Sequence, residues 1–277
     1  MPDLRDLLHK AIFAAIKAGD RINEIYDTDF NVIIKSDYTP VTIADQEANQ
    51  IIEDVLKQTS IPVLGEEGIH HEYELRKNWS LLWIVDPLDG TKEFVKRNGE
   101  FTVNIGLSEN GVPILGVIFS PVFKDLYFSA DGIGAFKIDR HTFIEIKEEI
   151  VSMELTEILK YSVRLPLQKL PDVFTVVASR SHQNPVLKKY IQEIEKREEV
   201  KTIYSGSSIK MCWVAEGLAH EYPRFGRTME WDTCAGHSIL KNAGGNIHHP
   251  DNGTPLVYNK GNLANPDFIA FLNKEIC

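Results

Sequence analysis

The chain has 277 residues, 43% of them hydrophobic, which is enough to bury a core as one large domain or as two small lobes. It has no apolar run close to the roughly 18 residues that cross a bilayer, so the sequence predicts a globular protein without a membrane span. A formal net charge of -10 argues against a nucleic-acid partner, because non-specific affinity for a polyanion needs many basic side chains.

The cysteines and the first residues indicate a cellular compartment. Cys212, Cys234 and Cys277 have no CxxC spacing, so neither a disulfide framework nor a zinc site is indicated. The chain starts with acidic residues, whereas a signal peptide starts with basic ones. We therefore expect a cytoplasmic protein with free thiols. The sequence leaves open a peripheral association with the inner membrane and assembly as a homodimer.

The first predicted elements are two amphipathic helices. Apolar residues recur every three or four positions from Leu4 to Ile25, and a second helical pattern ends near Leu56. Thr42 and Asp45 match a capping box at the start of the second helix, with Asp in the place of the usual Glu. From these residues alone, Asp45 is as readily a helix cap as a functional acid.

Two predicted strands each end at carboxylates. The short strand Ile61–Leu64 leads into Gly65-Glu66-Glu67-Gly68, and the apolar run Leu81–Val85 is typical of a strand buried on both faces. Asp86-Pro87-Leu88-Asp89-Gly90-Thr91 follows that second strand. We expect both strands to present carboxylates at the same end of one sheet.

The residues after the second strand indicate a site for a metal and a phosphate. Pro87 fixes the direction in which Asp86 leaves the strand, and Gly90 supplies a tight turn. Thr91 is predicted to cap a short helix, so that the Gly90 and Thr91 amides face an anion. Mg²⁺ commonly takes one or two carboxylates together with substrate phosphate. The alternative is a surface Asp-Gly turn without chemistry.

The middle of the chain is predicted to form an antiparallel meander. Turn signals separate five predicted strands: Phe101–Leu107, Val112–Phe119, Asp125–Phe128, Ala135–Ile138 and Phe143–Ile146. Charges and prolines between residues 150 and 173 indicate a junction. We therefore expect an N-terminal lobe over 1–150 and a C-terminal lobe over 151–277.

The C-terminal half alternates strands and helices, which predicts a mixed sheet. The predicted elements are strands at Phe174–Ala178, Thr202–Tyr204 and His220–Tyr222, and helices at Pro185–Ile194 and Ile209–Ala215. A last helix begins at Trp231-Asp232-Thr233 and ends near Gly244. Asp232 fits either an acid favoured by the helix dipole or a metal ligand.

These motifs together carry a family resemblance. Gly65-Glu66-Glu67, Asp86 to Thr91 and Trp231-Asp232-Thr233 resemble the metal-binding signatures of the inositol monophosphatase superfamily, which are Mg²⁺-dependent, lithium-sensitive phosphatases. Thr91-Lys92-Glu93-Phe94 resembles the bacterial CysQ type of 3'(2'),5'-bisphosphate nucleotidase. Further matches lie at Ser179 to His182, Gly206 to Lys210, Ala215 to Gly217 and Tyr222 to Gly226. The resemblance implies an α+β fold, a layered αβαβα sandwich with two lobes.

The resemblance also implies a metal-ligand set and catalytic residues. Glu66, Asp86 and the carbonyl of Leu88 would hold one Mg²⁺, and Asp86, Asp89 and Asp232 a second, with two or three ions in each active site. The catalytic residues would be Asp45, Thr91 and Glu66, with Thr91 and Asp45 polarising the attacking water. Substrate contacts would come from Asp89, Gly90, Thr91, Ser179, His182, Ser207, Lys210, Arg224 and Asp232.

Lys210, Arg224 and His182 also fit ordinary surface roles. Arg227-Thr228-Met229-Glu230 and His237 depart from the family pattern, which affects the pocket and leaves the metal ligands unchanged.

The implied activity is hydrolysis of a small bisphosphate nucleotide. The substrate would be 3'-phosphoadenosine 5'-phosphate, cleaved to AMP and phosphate, with 3'-phosphoadenosine 5'-phosphosulfate also accepted. One alternative is an inositol monophosphatase or another sugar-phosphate phosphatase with the same metals. Another is a nucleotide sensor without catalysis, which is disfavoured because the chain retains the four carboxylates together with Thr91 and Asp45.

Overall fold

A computed structural model describes residues 3–29, 32–34, 40–180 and 184–273. The helices are α1 (Leu4–Tyr26), α2 (Ile43–Leu56), α3 (Tyr73–Arg76), α4 (Thr91–Val95), α5 (Arg140–Ile150), α6 (Leu155–Ile158), α7 (Pro185–Glu195), α8 (Ile209–Glu216) and α9 (Glu230–Asn242). Short 3₁₀ helices follow α2 and α6, at Lys57–Thr59 and Leu159–Tyr161.

The strands belong to two larger sheets and one small hairpin-like pair. In chain order they are β1 (Val32–Ile34), β2 (Pro40–Thr42), β3 (Val63–Gly65), β4 (Leu81–Asp89), β5 (Thr102–Glu109), β6 (Val112–Ser120), β7 (Asp125–Ala130), β8 (Gly134–Ile138), β9 (Val163–Arg164), β10 (Phe174–Ser179), β11 (Val200–Ser205), β12 (Glu221–Arg224), β13 (Gly245–His248) and β14 (Phe268–Leu272).

The seven-stranded sheet runs β3-β4-β5-β6-β7-β8-β9 and is antiparallel except for the β3–β4 pair. Side chains alternate between its two faces. Val117 and Phe119 lie in the core that α1 and α2 cover, whereas Ile118 belongs to the core on the opposite face. One face therefore supports the N-terminal helices and the other supports α8 and α9.

The five-stranded sheet runs β11-β10-β12-β14-β13 and closes the second core. Val177 and Ala270 from this sheet share that core with Ile118 of the first sheet and Ile239 of α9. Helix α9 contacts strands of both sheets, and α7 contacts β11. The layers are thus helices, sheet, helices, sheet and helix, which confirms the predicted αβαβα sandwich.

Helix α9 can approach the first sheet closely because β6 carries a glycine beneath it. A Cβ built on Gly116 would lie 2.2 Å from the carbonyl oxygen of Ala235, closer than any side chain permits. The absence of a side chain at Gly116 therefore lets α9 rest directly on β6. This packing sets the height of α9 over the strands that carry the site.

The prediction of a strand over Phe143–Ile146 was wrong, because these residues lie in α5. The Asp139 side chain caps this helix by accepting a 2.9 Å hydrogen bond from the Thr142 amide. Phe143, Ile146 and Ile150 are buried at three- and four-residue spacing, so they form one helical face. A four-residue apolar run fits a strand equally well until the cap and the third apolar position are counted.

Two features of the C-terminal half went unpredicted. Strands β13 and β14 complete the second sheet after Gly244. Strand β9 lies past residue 150, yet it pairs with β8 in the first sheet. The two-lobe division at 150 stays a prediction. Among the described residues, the structure contains no helix long and apolar enough to cross a membrane.

Candidate active site

Strand pairing brings the first two carboxylates together. Strand β3 runs parallel to β4 with Gly65 opposite Val85, and the Glu66 amide donates a 3.1 Å hydrogen bond to the Val85 carbonyl. Glu66 and Asp86 each follow one of these paired residues. The apolar run that precedes Asp86 is buried, as predicted, and β4 continues with an irregular register to Asp89.

Helix α9 supplies the third carboxylate. Asp232 is the third residue of this helix, and its carboxylate accepts a 2.8 Å hydrogen bond from the Met229 amide. It therefore acts at the helix start in the way that a capping acid does. The same carboxylate lies near Asp86 at the end of β4, so its contact at the helix start leaves it close to the other acids.

Glu66, Asp86 and Asp232 form one cluster. Each offers a carboxylate oxygen, and these oxygens lie within 4.8 Å of one another. Hard divalent cations prefer oxygen ligands, mostly carboxylates and carbonyls, and the three acids meet this requirement without a nitrogen or sulfur donor. The donor set therefore fits Mg²⁺, which would offset their mutual repulsion.

Burial and repulsion raise the pKa values of these acids. Burial, followed by the charges of Glu66 and Asp89, holds the pKa of Asp86 well above its usual range. Burial and the nearby Asp89 raise the pKa of Asp232 to about 8, against the opposing Met229 amide. These acids therefore carry their charge poorly without a cation between them.

Asp89 lies at the edge of this cluster. Burial raises its pKa to about 6, while nearby Lys210 and a hydrogen bond from the Ser208 amide lower it. Its charge acts on both Asp86 and Asp232. Asp89 is thus the acid that faces both the carboxylate cluster and the basic side of the cleft.

Asp45 is both a helix cap and a partner of Thr91. Its Oδ2 accepts 2.7 Å hydrogen bonds from the amide and the hydroxyl of Thr42, which completes the predicted capping box. Its Oδ1 accepts a hydrogen bond from the Thr91 hydroxyl at 3.1 Å. Burial raises the pKa of Asp45, and the Thr42 hydrogen bonds oppose that rise.

The prediction that Thr91 caps the helix after β4 was wrong. Gly90, with a φ of +98°, occupies the cap position of α4, and no side chain caps this helix. The Thr91 hydroxyl lies 3.1 Å from Asp45 Oδ1 and 3.4 Å from the Leu88 carbonyl oxygen. Thr91 therefore contacts Asp45 and lines the same cleft as the carboxylate cluster.

Basic residues line the same cleft, and we refer to three of them, Lys210, Arg224 and Arg227, as the basic wall. Lys210 is 4% exposed, donates to the Ser207 carbonyl and lies 5.2 Å from the Tyr222 ring centre. Burial lowers the pKa of Lys210 to about 8, with Asp89 opposing the change. The cleft therefore contains acidic and basic side chains close to each other.

Two buried polar atoms on the basic side have no hydrogen-bond partner within the described part of the chain, namely Ser207 Oγ and Arg224 Nε. Buried polar groups are almost always paired, so such atoms commonly await a ligand. Both residues line the cleft. Together with Lys210 they offer hydrogen-bond donors suited to a phosphate group.

The structure brings most of the predicted site residues to one cleft. Its lining includes Glu66, Asp86, Leu88, Asp89, Gly90, Thr91, Ser179, Ser207, Lys210, Arg224 and Asp232. Asp45 reaches it through Thr91. His182 lies outside the described residues.

Other residues of the cleft were not singled out by the sequence. Lys92, Glu93 and Tyr222 line it, although they had appeared only within motifs, as do Arg227 and Thr228, which had appeared only as departures from the family pattern. Arg227 accepts a 3.2 Å hydrogen bond from Arg224 Nη2 through its carbonyl oxygen. No local pattern marks these side chains, because their placement follows from sheet pairing between distant segments.

The layered fold and the carboxylate cleft define a class of metal-assisted phosphate-binding proteins. The family model for the inositol monophosphatase family matches residues 3–275. The chain belongs to that family.

Three individual proteins show how similar this chain is to members of that family. A protein of Escherichia coli strain K12, 3'(2'),5'-bisphosphate nucleotidase CysQ, is 42% identical over 267 residues, which is 95% of this chain and 98% of that protein. The crystal structure of CysQ from Bacteroides thetaiotaomicron is 46% identical, with a TM-score of 0.88, and covers 98% of this chain and 99% of that one. An inositol monophosphatase of Thermotoga maritima shares the fold at 23% identity and a TM-score of 0.71, over 98% of this chain and 95% of that one.

Proposed function

We propose that this chain is a Mg²⁺-dependent 3'(2'),5'-bisphosphate nucleotidase. It removes the 3'-phosphate of 3'-phosphoadenosine 5'-phosphate to give AMP and phosphate, and it accepts the 5'-phosphosulfate analogue. The observation that carries this proposal is a cleft that is lined both by a carboxylate cluster and by buried Lys210 and half-buried Arg224. A substrate with two phosphates uses both sets of residues. The similarity to proteins named CysQ supports the same substrate.

We assign the metal ligands by position. Glu66, Asp86 and the Leu88 carbonyl would hold one ion, and Asp86, Asp89 and Asp232 a second, with two or three ions in each site. When bound, the ions supply positive charge to the phosphate and leaving-group oxygens and lower the pKa of a coordinated water. Asp86, the most buried acid of the three-carboxylate cluster, is the shared ligand in this assignment.

Thr91 and Asp45 orient the attacking water and accept its proton. Thr91 donates its hydroxyl proton to Asp45 Oδ1, so the lone pairs of Thr91 Oγ1 remain free to accept a hydrogen bond from water. As the water attacks phosphorus, its proton passes by way of Thr91 toward Asp45. The raised pKa of Asp45 makes this carboxylate a better proton acceptor.

The basic wall holds the second phosphate. Lys210 Nζ, Arg224 Nε and Ser207 Oγ would each donate to its oxygens, which gives partners to both unpaired buried atoms. Charge-assisted hydrogen bonds of this kind are about twice as strong as neutral ones. They orient the nucleotide with its 3'-phosphate at the carboxylates.

The alternatives use less of this cleft. An inositol monophosphate has a single phosphate and would leave the basic wall without an anion. A sensor that binds without catalysis would not need the hydrogen bond between Thr91 and Asp45. We therefore favour nucleotide hydrolysis over both.

The test is phosphate release from 3'-phosphoadenosine 5'-phosphate, inositol monophosphate and fructose bisphosphate, each with and without Mg²⁺. We expect the nucleotide to give the highest kcat/KM, and only with Mg²⁺. We also expect Asp89→Asn to abolish turnover, with Asp131→Asn, far from the cleft, as the matched control. Equal rates on inositol monophosphate would contradict the substrate assignment.

We further propose a cytoplasmic location, which the buried free thiols of Cys212 and Cys234 support. The substrate would be a small nucleotide found in that compartment.

A further inference from the structure

A segment near the C-terminus forms hydrogen bonds with the start of α9. It runs from Tyr258 to Asn265, and we refer to it as the 258–265 segment. The Glu230 amide donates to the Leu263 carbonyl at 3.0 Å, and the Asn265 amide donates to the Thr228 carbonyl at 2.8 Å. The 258–265 segment therefore runs alongside the residues that lead into α9. Its contact with Glu230 lies two positions before Asp232.

Glu230 is the anchor on the α9 side. Its side chain is 0% exposed, and it accepts hydrogen bonds from the Asn259 amide at 2.6 Å, the Lys260 amide at 2.9 Å and Lys260 Nζ at 2.7 Å. A buried carboxylate with three donors is well satisfied, and losing them would leave an uncompensated charge. The first turn of α9 is thus fixed to the 258–265 segment.

Arg76 is the anchor on the other side. Arg76 Nη1 donates to Asn259 Oδ1 at 2.8 Å, and Asn259 Nδ2 donates back to the Arg76 carbonyl at 2.7 Å. The same guanidinium also donates to the carbonyls of Gly261 and His71, both at 3.3 Å. We call the reciprocal pair the Arg76–Asn259 link. It joins the 258–265 segment to the end of α3, and the bond from Arg76 to His71 continues the connection to the loop that carries Glu66.

A second contact joins the same two regions beside the cluster. His70 Nε2 donates to the Gly65 carbonyl at 2.8 Å, and the His70 ring lies 5.3 Å from the ring of Trp231. Gly65 precedes Glu66, and Trp231 precedes Asp232. The Glu66 loop and the start of α9 are therefore held together both at the cluster and through the 258–265 segment.

We infer that Arg76 and Asn259 are positioning residues, which set the separation between the Glu66 and Asp232 carboxylates for divalent-cation binding. The inference rests on the metal role in the proposed function. The carboxylate oxygens lie within 4.8 Å of each other, so like charges drive the two segments apart unless a cation or the scaffold opposes them. The Arg76–Asn259 link is the scaffold that opposes this repulsion.

The sharpest variant is Asn259→Gly. Asn259 has a φ of +61°, a conformation that glycine adopts without strain, so the change removes the side chain and preserves the backbone bonds to Glu230. We expect the half-saturating Mn²⁺ concentration, measured by electron paramagnetic resonance of free Mn²⁺, to rise about tenfold. Asn259→Asp keeps an acceptor for Arg76 and should restore most of the affinity.

The matched control lies at the other end of the same helix. Asp131 accepts hydrogen bonds from Lys241 Nζ at 2.9 Å and Asn242 Nδ2 at 3.1 Å, near the C-terminus of α9. Asp131→Ala thus removes a comparable polar link to α9 away from the cluster. We expect it to lower thermal stability while leaving the half-saturating Mn²⁺ concentration unchanged.

The outcomes separate this inference from the proposed function. A wild-type protein that binds no Mn²⁺ at the cluster would overturn the metal role itself. A wild-type protein that binds Mn²⁺, with Asn259→Gly binding equally well or Asp131→Ala weakened to the same extent, would overturn the positioning role alone. If Asn259→Gly does not fold, Arg76→Lys is the second variant, because it keeps the charge but loses the forked geometry of the guanidinium. The inference then predicts the same tenfold rise in the half-saturating Mn²⁺ concentration, and an unchanged concentration would overturn it.

Discussion

The Thr91 hydroxyl lies 3.1 Å from Oδ1 of Asp45, although 46 residues separate the two in the chain. The other carboxylate oxygen of Asp45 is occupied by Thr42, which holds the first turn of α2. The two oxygens of one buried carboxylate thus have different tasks. One stabilises the fold, and the other connects α2 to the catalytic turn.

This division of tasks predicts the effect of replacing Thr91. Thr91→Val keeps the volume and removes the hydroxyl, so we expect kcat to fall by about 10²- to 10⁴-fold, with little change in KM. Thr91→Ser retains the hydroxyl and should retain most of the activity. Steady-state phosphate release measures both. A kcat within threefold of wild type for Thr91→Val would contradict the role of Thr91.

The basic wall predicts which substrates depend on Lys210. Lys210→Met removes a charged donor, and we expect the KM for 3'-phosphoadenosine 5'-phosphate to rise by about 10- to 100-fold, since a charge-assisted hydrogen bond contributes about 1.5 to 3 kcal/mol. Adenosine 3'-monophosphate lacks the second phosphate, so its KM should change little. The exposed Lys196, which pairs with Glu193, provides the control Lys196→Met. An equal rise in KM for both substrates would show that Lys210 does not bind the second phosphate.

The carboxylate cluster predicts how stability depends on pH without metal. The pKa of Asp232 is about 8, far above the ordinary 3.8. A raised carboxyl pKa means that the folded state favours the neutral acid, so this contribution to stability is full below about pH 4 and is lost as the pH rises toward 8. In EDTA we therefore expect Tm to fall between pH 6 and pH 8.5, and Mg²⁺ to restore it.

Asp232→Asn is the control for that pH dependence. It removes the titrating group, so its Tm in EDTA should fall less over the same pH range, and Mg²⁺ should restore less. Differential scanning calorimetry at several pH values measures both proteins. Parallel curves for wild type and Asp232→Asn would assign the pH dependence to other groups.

The all-oxygen ligand set predicts sensitivity to lithium. Li⁺ is a small cation that oxygen ligands hold well, but its single charge neutralises fewer carboxylates than Mg²⁺ does. We expect Li⁺ to slow phosphate release by occupying the position beside Asp89 and Asp232, while equal concentrations of Na⁺ leave the rate unchanged. Equal effects of Li⁺ and Na⁺ would indicate ionic strength alone.

Patterns that depend on neighbours in sequence were predicted well. The helical spacing of α1, the buried run of β4 and the start of α9 at Trp231-Asp232 follow from local periodicity and composition. The Thr42–Asp45 capping box is likewise a local signal. The strand predicted over Phe143–Ile146 was wrong because a short apolar run does not distinguish a strand from a helix.

Contacts between distant segments could not be predicted from one sequence. Arg76 and Asn259 are 183 residues apart, and no local pattern indicates that their side chains pair. The pairing of Thr91 with Asp45 came from the family resemblance alone, since the local pattern predicted Thr91 as a helix cap, a position that Gly90 occupies. The strand-end carboxylates were identified from local patterns and the full ligand set by family resemblance, whereas the depth at which they meet depends on how closely α9 packs on Gly116.

The central claim is that Glu66, Asp86, Asp89 and Asp232 gather divalent cations in the cleft. The most direct measurement is anomalous X-ray scattering from crystals of the protein soaked in Mn²⁺. The account predicts one peak in contact with Glu66 and Asp86, and a second in contact with Asp86, Asp89 and Asp232. A map without a peak at these carboxylates, at Mn²⁺ concentrations that support phosphate release, would contradict it.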